Sequence, residues 1–206
     1  MDLTLYTGLS YHKNMRRVVV LATMTLVAFT YFNAGGPGVA AAADDTLLND
    51  VAQEAKIAKI PLIYARGVDT WGNERNTTGF KERGIEWFNK GFTEDATFEV
   101  IWPDGSGTGL IYGAEGFYDF AMAIFEDGVR NTHHAMPNIL VEEVNGNTAK
   151  IHTYGIVRHL KTDNSSDIAI LFYTDKCIRK KGLWKSFERK IYVISFDNFV
   201  PLYSLP

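Results

Sequence analysis

The chain has 206 residues, 46% of them hydrophobic and 22% charged, with a formal net charge of −3. That length supports one domain with a sizeable core that needs no metal or disulfide staple. The mildly acidic balance excludes the basic footprint of a nucleic-acid binder, and a single cysteine excludes an intramolecular disulfide.

The first 43 residues read as a leader. Arg16 and Arg17 give a basic start, Val18 to Phe32 is an apolar run, and a "GGPG" break and four alanines precede Asp44. This order is that of a secretory signal cut after Ala43, ahead of one domain over 44–206. Residues 1–14 read as an over-extended start or a longer basic region. The alternative is an uncut anchor, although the run is short for a membrane span. Loss of 1–43 removes Lys13, Arg16, Arg17 and Asp2, so the mature chain is more acidic. The expected place is a periplasm or the cell exterior, with no membrane partner after cleavage.

Along the mature chain, residues 45–70 read as helix, with Ile57, Ile60, Tyr64 and Val68 on one face. Pro61 kinks it or starts its second half. "VDTWGNERNTTG" reads as loop. Residues 80–91 form a second amphipathic helix anchored by Ile85, Trp87 and Phe88. "FTEDATFEVIWPDGSGTG" is a short strand and a Pro-Asp-Gly turn. Residues 114–127 make a third helix, with Phe117, Phe120, Ala121 and Ile124 on one side. The period then shortens to that of strands. "AMPNILVEEV", "TAKIHTYGIVRHL", "IAILFYTDKCIRK" and "WKSFERKIYVISF" are four strands joined by turns, the first of the Asn-Gly kind. Cys177 falls in the third of these and reads as a buried apolar thiol.

Helices followed by an antiparallel meander give an α+β arrangement with helices over one sheet face. A strongly curved sheet closed in this way is a cone with an internal pocket. Tyr64, Trp71, Phe88, Trp102, Phe120, Tyr154 and Phe172 are the candidate rings for its wall.

"LIYARGVDTWG", "GFTEDATFEVIWPDGSGTG", "NTHHAMPNILVEEVNGNTAKIHTYGIVRH" and "GLWKSFERKIYV", in that order, resemble the SnoaL-like family of the nuclear transport factor 2-like superfamily, over residues 50–196. The resemblance implies the cone fold. It is poorly specific for activity, because the superfamily includes dehydratases, isomerases, cyclases and binding domains. Against the scytalone dehydratases of that superfamily, Asp69 falls at the aspartate position. Thr132-His133-His134 matches a Thr-x-His, with His134 as the counterpart. Tyr154 falls near a pocket-lining polar position. The paired tyrosines that polarise the ketone in those enzymes have no counterpart at matching positions.

Strand alternation puts His133 and His134 on opposite faces, so the two cannot share a metal. His152 shares a face with Tyr154 and Ile156, and His159 lies on the other. These spacings do not make a zinc pattern, and no cofactor is expected. An aspartate beside a cavity histidine fixes its tautomer and raises its basicity, which suits proton transfer near neutral pH. The candidate catalytic residues are therefore Asp69 and His134. The candidate substrate contacts are Tyr64, Trp71, Phe88, Trp102, Phe120, Asn138 and Tyr154. Three readings remain open at this level. One is a cofactor-independent lyase or isomerase for a small apolar substrate. The others are a binding module with the same pocket and a dimerisation domain, and a homodimer fits all three.

Overall fold

The computed structural model describes residues 45–126 and 128–199. The leader expected over 1–43, with its cut after Ala43, lies outside the described residues.

Two helices open the fold, α1 at Asp45–Ile57 and α2 at Lys59–Glu74. Pro61 explains the break at Ala58. It has no N–H for the carbonyl of Ile57, four residues back, yet in the first turn of α2 its missing donor costs nothing. The helix expected to end at residue 70 runs on to Glu74, into the segment expected as loop. The buried face of α2 runs on from Ile60, Tyr64 and Val68 to Trp71 at the same three- and four-residue steps. Gly72 and Asn73, read from sequence as turn formers, serve close packing and a side-chain clamp instead.

Helix α3 spans Phe80–Gly91 and leads into β1 at Phe92–Ile101. A short β2 at Ile111–Tyr112 precedes α4 at Gly113–Phe125, so two strands come before the last helix. The first expected strand of the meander, over 135–144, is β4 at Ile139–Asn145, and a further strand, β3 at Val129–Ala135, precedes it. They are separated at Met136–Asn138, where Pro137 cannot donate to a ladder. Both pair antiparallel with β5 at Thr148–Lys161, β3 along its second half and β4 along its first. The long strands β6 at Ser166–Lys180 and β7 at Leu183–Phe199 complete the sheet.

The strand order is β2-β1-β7-β6-β5-β3, with β4 also on β5. Strand β1 runs parallel to β7, so the sheet is mixed where the sequence suggested a wholly antiparallel one. The α+β cone itself is as expected: a curled sheet forms a half-barrel, and helices cross its open side. Register shifts at Ile170/Leu171 and Lys176/Cys177 between β6 and β7 mark bulges, which add twist and sharpen the curl.

The inner face of β5 carries Ile151, Thr153, Gly155, Val157 and His159, and its outer face carries His152, Tyr154, Ile156 and Arg158. Cys177 is fully buried and burial pushes its thiol up, as an inert apolar filler should behave. A charged pair lies beneath Tyr64. The Arg189 Nε and Nη2 groups donate to the two Asp175 carboxylate oxygens at 2.9 and 2.8 Å, and Ser186 Oγ donates to Oδ1 at 2.8 Å. The guanidinium stacks over Tyr64 at 4.2 Å, with Phe92 and Tyr173 at 5.1 Å. Both side chains are wholly buried. Removal of one partner strands the other charge without water, which costs about 3–5 kcal/mol. Arg189→Met is therefore expected to lose that much stability in urea titration, and Arg189→Met with Asp175→Leu to lose less than Arg189→Met alone.

Candidate functional site

Strand β3 is a sheet edge, and its unpaired backbone faces α2. Two side chains one helical turn apart take the place of a further strand. Asn73 Oδ1 accepts the Thr132 N–H at 2.8 Å and its Nδ2 donates to the Thr132 carbonyl at 2.9 Å. One turn earlier, Asp69 Oδ2 accepts the His134 N–H at 3.2 Å, and Oδ1 lies 2.7 Å from His134 Nδ1. A Cβ on Gly72 would collide with the Thr132 methyl group, so this approach needs glycine between the two polar residues.

The carboxylate can only accept, so the ring proton sits on Nδ1 and the lone pair on Nε2. The His134 side chain is 5% exposed and Asp69 15%, which keeps the pair largely out of water. His133 points the other way, 76% exposed, with Nδ1 3.8 Å from Asp69 Oδ2. The expected split of the two histidines across the strand is the observed one.

His134 lines a cavity of about 400 Å³ whose remaining wall is almost all carbon. Of the expected contacts, Tyr64, Trp102 and Phe120 line it too. Trp71 and Phe88 do not. They stack on each other at 4.6 Å, fully buried, because the Trp71 indole reaches out to the Lys81 carbonyl at 3.1 Å and binds α2 to α3. Asn138 is exposed in the break between β3 and β4. Tyr154 is 47% exposed on the outer face, where it packs on Phe172 at 5.1 Å. The sequence reading grouped His152, Tyr154 and Ile156 correctly, but that group faces outward, as does Phe172.

The same parity turns His159 inward. It lines the cavity, its ring centre 6.3 Å from that of His134 and edge-on to Phe125 at 5.6 Å. Alternation had placed it opposite Tyr154; the available signal was the choice of which face is apolar, with Ile151 and Val157 on its side. Burial, and then the neighbouring His134, push its pKa down to about 4, so it is neutral near pH 7. Its cross-strand neighbour Asp167 is buried and pairs with Lys161 at 2.9 Å. Burial pushes the Tyr64 phenol well up, so it stays a neutral donor. The site thus offers one basic nitrogen, backed by a carboxylate, and two neutral polar groups in an apolar chamber. Among the described residues no cluster of three or more metal-ligating side chains occurs.

A curled mixed sheet, helices over its open side and a buried Asp–His pair at the cavity wall define a cone-shaped domain of the nuclear transport factor 2-like kind. The chain belongs to the SnoaL-like domain family, whose model matches residues 79–190. Among solved structures, the hexachlorocyclohexane dehydrochlorinase LinA-type3 from Novosphingobium barchaimii matches with a TM-score of 0.59 at 19% identity, covering 77% of this chain and 98% of that one. A putative aromatic ring hydroxylase from Novosphingobium aromaticivorans gives 0.57 at 21%, covering 72% and 94%. A putative scytalone dehydratase from the same organism gives 0.54 at 18%, covering 76% and 94%. At these identities the likeness is one of fold. No curated protein matches the sequence.

Two outcomes test the site as built. Gly72→Ala is expected to lose about 1–3 kcal/mol by overpacking. It should also release His134 from Asp69, seen as a shifted ring resonance in NMR. The depressed His159 pKa sets a pH dependence. Its neutral form in the fold, against about 6.5 unfolded, contributes stability that is full above pH 6.5 and lost as pH falls through about 4. The total is about 3 kcal/mol, and denaturation of His159→Gln between pH 4 and 7 should lack that component.

Proposed function

We propose that the chain is a cofactor-independent lyase or isomerase that moves a proton on a small apolar substrate, with Asp69 and His134 as the acid–base pair. The observation that carries this reading is the 2.7 Å contact between Asp69 Oδ1 and His134 Nδ1 at the wall of the apolar cavity. His134 Nε2 takes a proton from a substrate carbon. Asp69 stabilises the imidazolium that forms. In an elimination, the freed electron pair closes a C=C bond, and a hydroxyl or halide on the neighbouring carbon leaves with its own bonding pair. In an isomerisation, the proton returns at another carbon. Tyr64 and His159, both neutral, supply hydrogen bonds to the departing or charged atom, and Trp102 and Phe120 hold the apolar body.

Elimination fits better than ketone isomerisation. The tyrosine pair that polarises the ketone in the scytalone dehydratases is missing at matching positions, so dehydration of that ketone class is not proposed either, and the acidity of the C–H bond must come from the substrate's own substituents. The likeness to a dehydrochlorinase and to a dehydratase-type fold supports the same class.

The alternative is a binding module that uses this chamber without turnover, favoured by how little polar surface the chamber presents. Exposed Tyr154, Ile156, Ile170 and Ile194 on the outer sheet face support a homodimer under either reading. The basic, apolar and small-residue order before Asp44 supports export.

The test is turnover of chlorinated and hydroxylated alicyclic compounds, followed by NMR. Asp69→Asn keeps a hydrogen-bond acceptor for the ring but removes the charge. It is expected to lower the rate about 10²–10⁴-fold while leaving ligand affinity within a few-fold. Full activity in Asp69→Asn would sink the acid–base assignment. Ligand binding by the wild type with no turnover across the panel would favour the binding module.

A further inference from the structure

Most lysines in the described residues are neutralised where they stand. Lys81 pairs with Glu115, Lys90 with Glu86, Lys150 with Glu143, Lys161 with Asp167, Lys176 with Glu188 and Lys190 with Glu99. The tip of the β6–β7 hairpin, like Lys56 and Lys59 on the first two helices, departs from this pattern. Arg179, Lys180, Lys181 and Lys185 fall close together in sequence on its two strands and turn, and none of them forms an ion pair among the described residues. Lys185 Nζ donates to the Asn89 carbonyl at 2.7 Å, which fixes it without cancelling its charge. Asp95 on β1 feels the charge of Lys180. In a chain of net charge −3, this is a local basic pole and not a general excess.

The same hairpin carries apolar surface. The turn is Lys181-Gly182, with φ of 50° and 79°, and it closes on the Lys180–Leu183 pair. Leu183 is 63% exposed beside that turn, and Phe187, at the bulge, is 38% exposed. Like charges crowded on a hairpin repel, and an exposed leucine at its tip gains nothing from water. Both costs are relieved by one kind of surface, negatively charged and apolar just beneath. Nucleic-acid phosphates would answer the charge but not the leucine.

We propose that the β6–β7 hairpin docks on an anionic lipid surface, with Arg179, Lys180, Lys181 and Lys185 at the headgroup phosphates and Leu183 in the interface. The contact is peripheral, since no described helix is long and apolar enough to cross a membrane. It runs against the sequence expectation of no membrane partner after cleavage, and the test below decides between them. Trp184 Nε1 donates to Gln53 Oε1 at 2.9 Å, so α1, the first described element after the apolar N-terminal run, is tied to this hairpin.

The test is co-sedimentation of the full chain with phosphatidylcholine vesicles and with vesicles that also contain phosphatidylglycerol. Each surface cation contributes about a fivefold gain in partitioning, so the wild type should prefer the anionic vesicles by at least about tenfold. Lys180→Glu with Lys181→Glu should fall to the level of the neutral vesicles, as should the wild type in high salt. Leu183→Ser should weaken binding several-fold with the charges intact. All these positions are on the surface, so unchanged melting temperatures confirm that each variant folds. Equal binding to both vesicle types, or wild-type binding by the charge-reversed variant, overturns the proposal. So does an unaffected Leu183→Ser whose parent binds heparin equally well, which would mark a general polyanion site.

Discussion

The carboxylate of Asp69 holds His134 twice, by the backbone N–H and by the ring, across 65 residues of sequence. That double hold does two jobs at once. It closes the exposed edge of β3 against α2, and it sets the tautomer that leaves Nε2 basic. Asn73 repeats the edge contact one turn on, with both ends of its amide used on Thr132. The helix can come this near because residue 72 has no side chain. Fold stability and ring orientation are therefore one interaction here: a substitution that moves α2 away from β3 opens a sheet edge and frees the histidine together.

The layer beneath the cavity is rigid for a different reason. Arg189 and Asp175 are buried as a bidentate pair, capped by Ser186 and roofed by the Tyr64 ring. Burial opposes the guanidinium charge, yet the adjacent carboxylate holds Arg189 protonated and its pKa up. Such a pair gains little net energy over apolar packing, but it is intolerant of displacement. Tyr64 stacks on it from one side and meets His134 edge-on at 6.0 Å from the other. The position of the cavity wall next to the basic nitrogen is thus set from below by charge and from above by hydrogen bonding.

The sequence carried the fold well because its periods were clean. The faces of α2, α3 and α4 follow three- and four-residue steps, and the long strands alternate. What failed were cases in which one residue type has two uses. Gly72 and Asn73 look like turn formers, and their roles in close approach and in clamping an edge depend on β3, far away in sequence. The parallel β1–β7 pair brings together segments about 90 residues apart, beyond any local pattern. For the candidate site, the meeting of Asp69 and His134 was legible through the resemblance to the scytalone dehydratases. Trp71, Phe88 and Tyr154 were not separable from true pocket rings. An aromatic side chain serves core, pocket and outer face equally well, and the face of β5 had to be known first. The same wrong face hid His159.

The apolar character of the chamber then limits the chemistry. A charge that forms there finds no water and few dipoles, so any step must keep charge close to a group built to meet it. In the proposed reaction Asp69 answers the imidazolium on one side of His134. Among the described lining residues, the neutral Tyr64 phenol and the neutral His159 ring are hydrogen-bonding groups of modest strength. A free enolate would be poorly supported by them. A concerted elimination spreads its charge between the carbon that loses the proton and the group that departs, and it never places a full negative charge on the substrate's carbon frame. The scarcity of polar groups, which at first favours a binding module, is for that reason compatible with the elimination proposed above, a reaction that requires a substrate carrying its own leaving group.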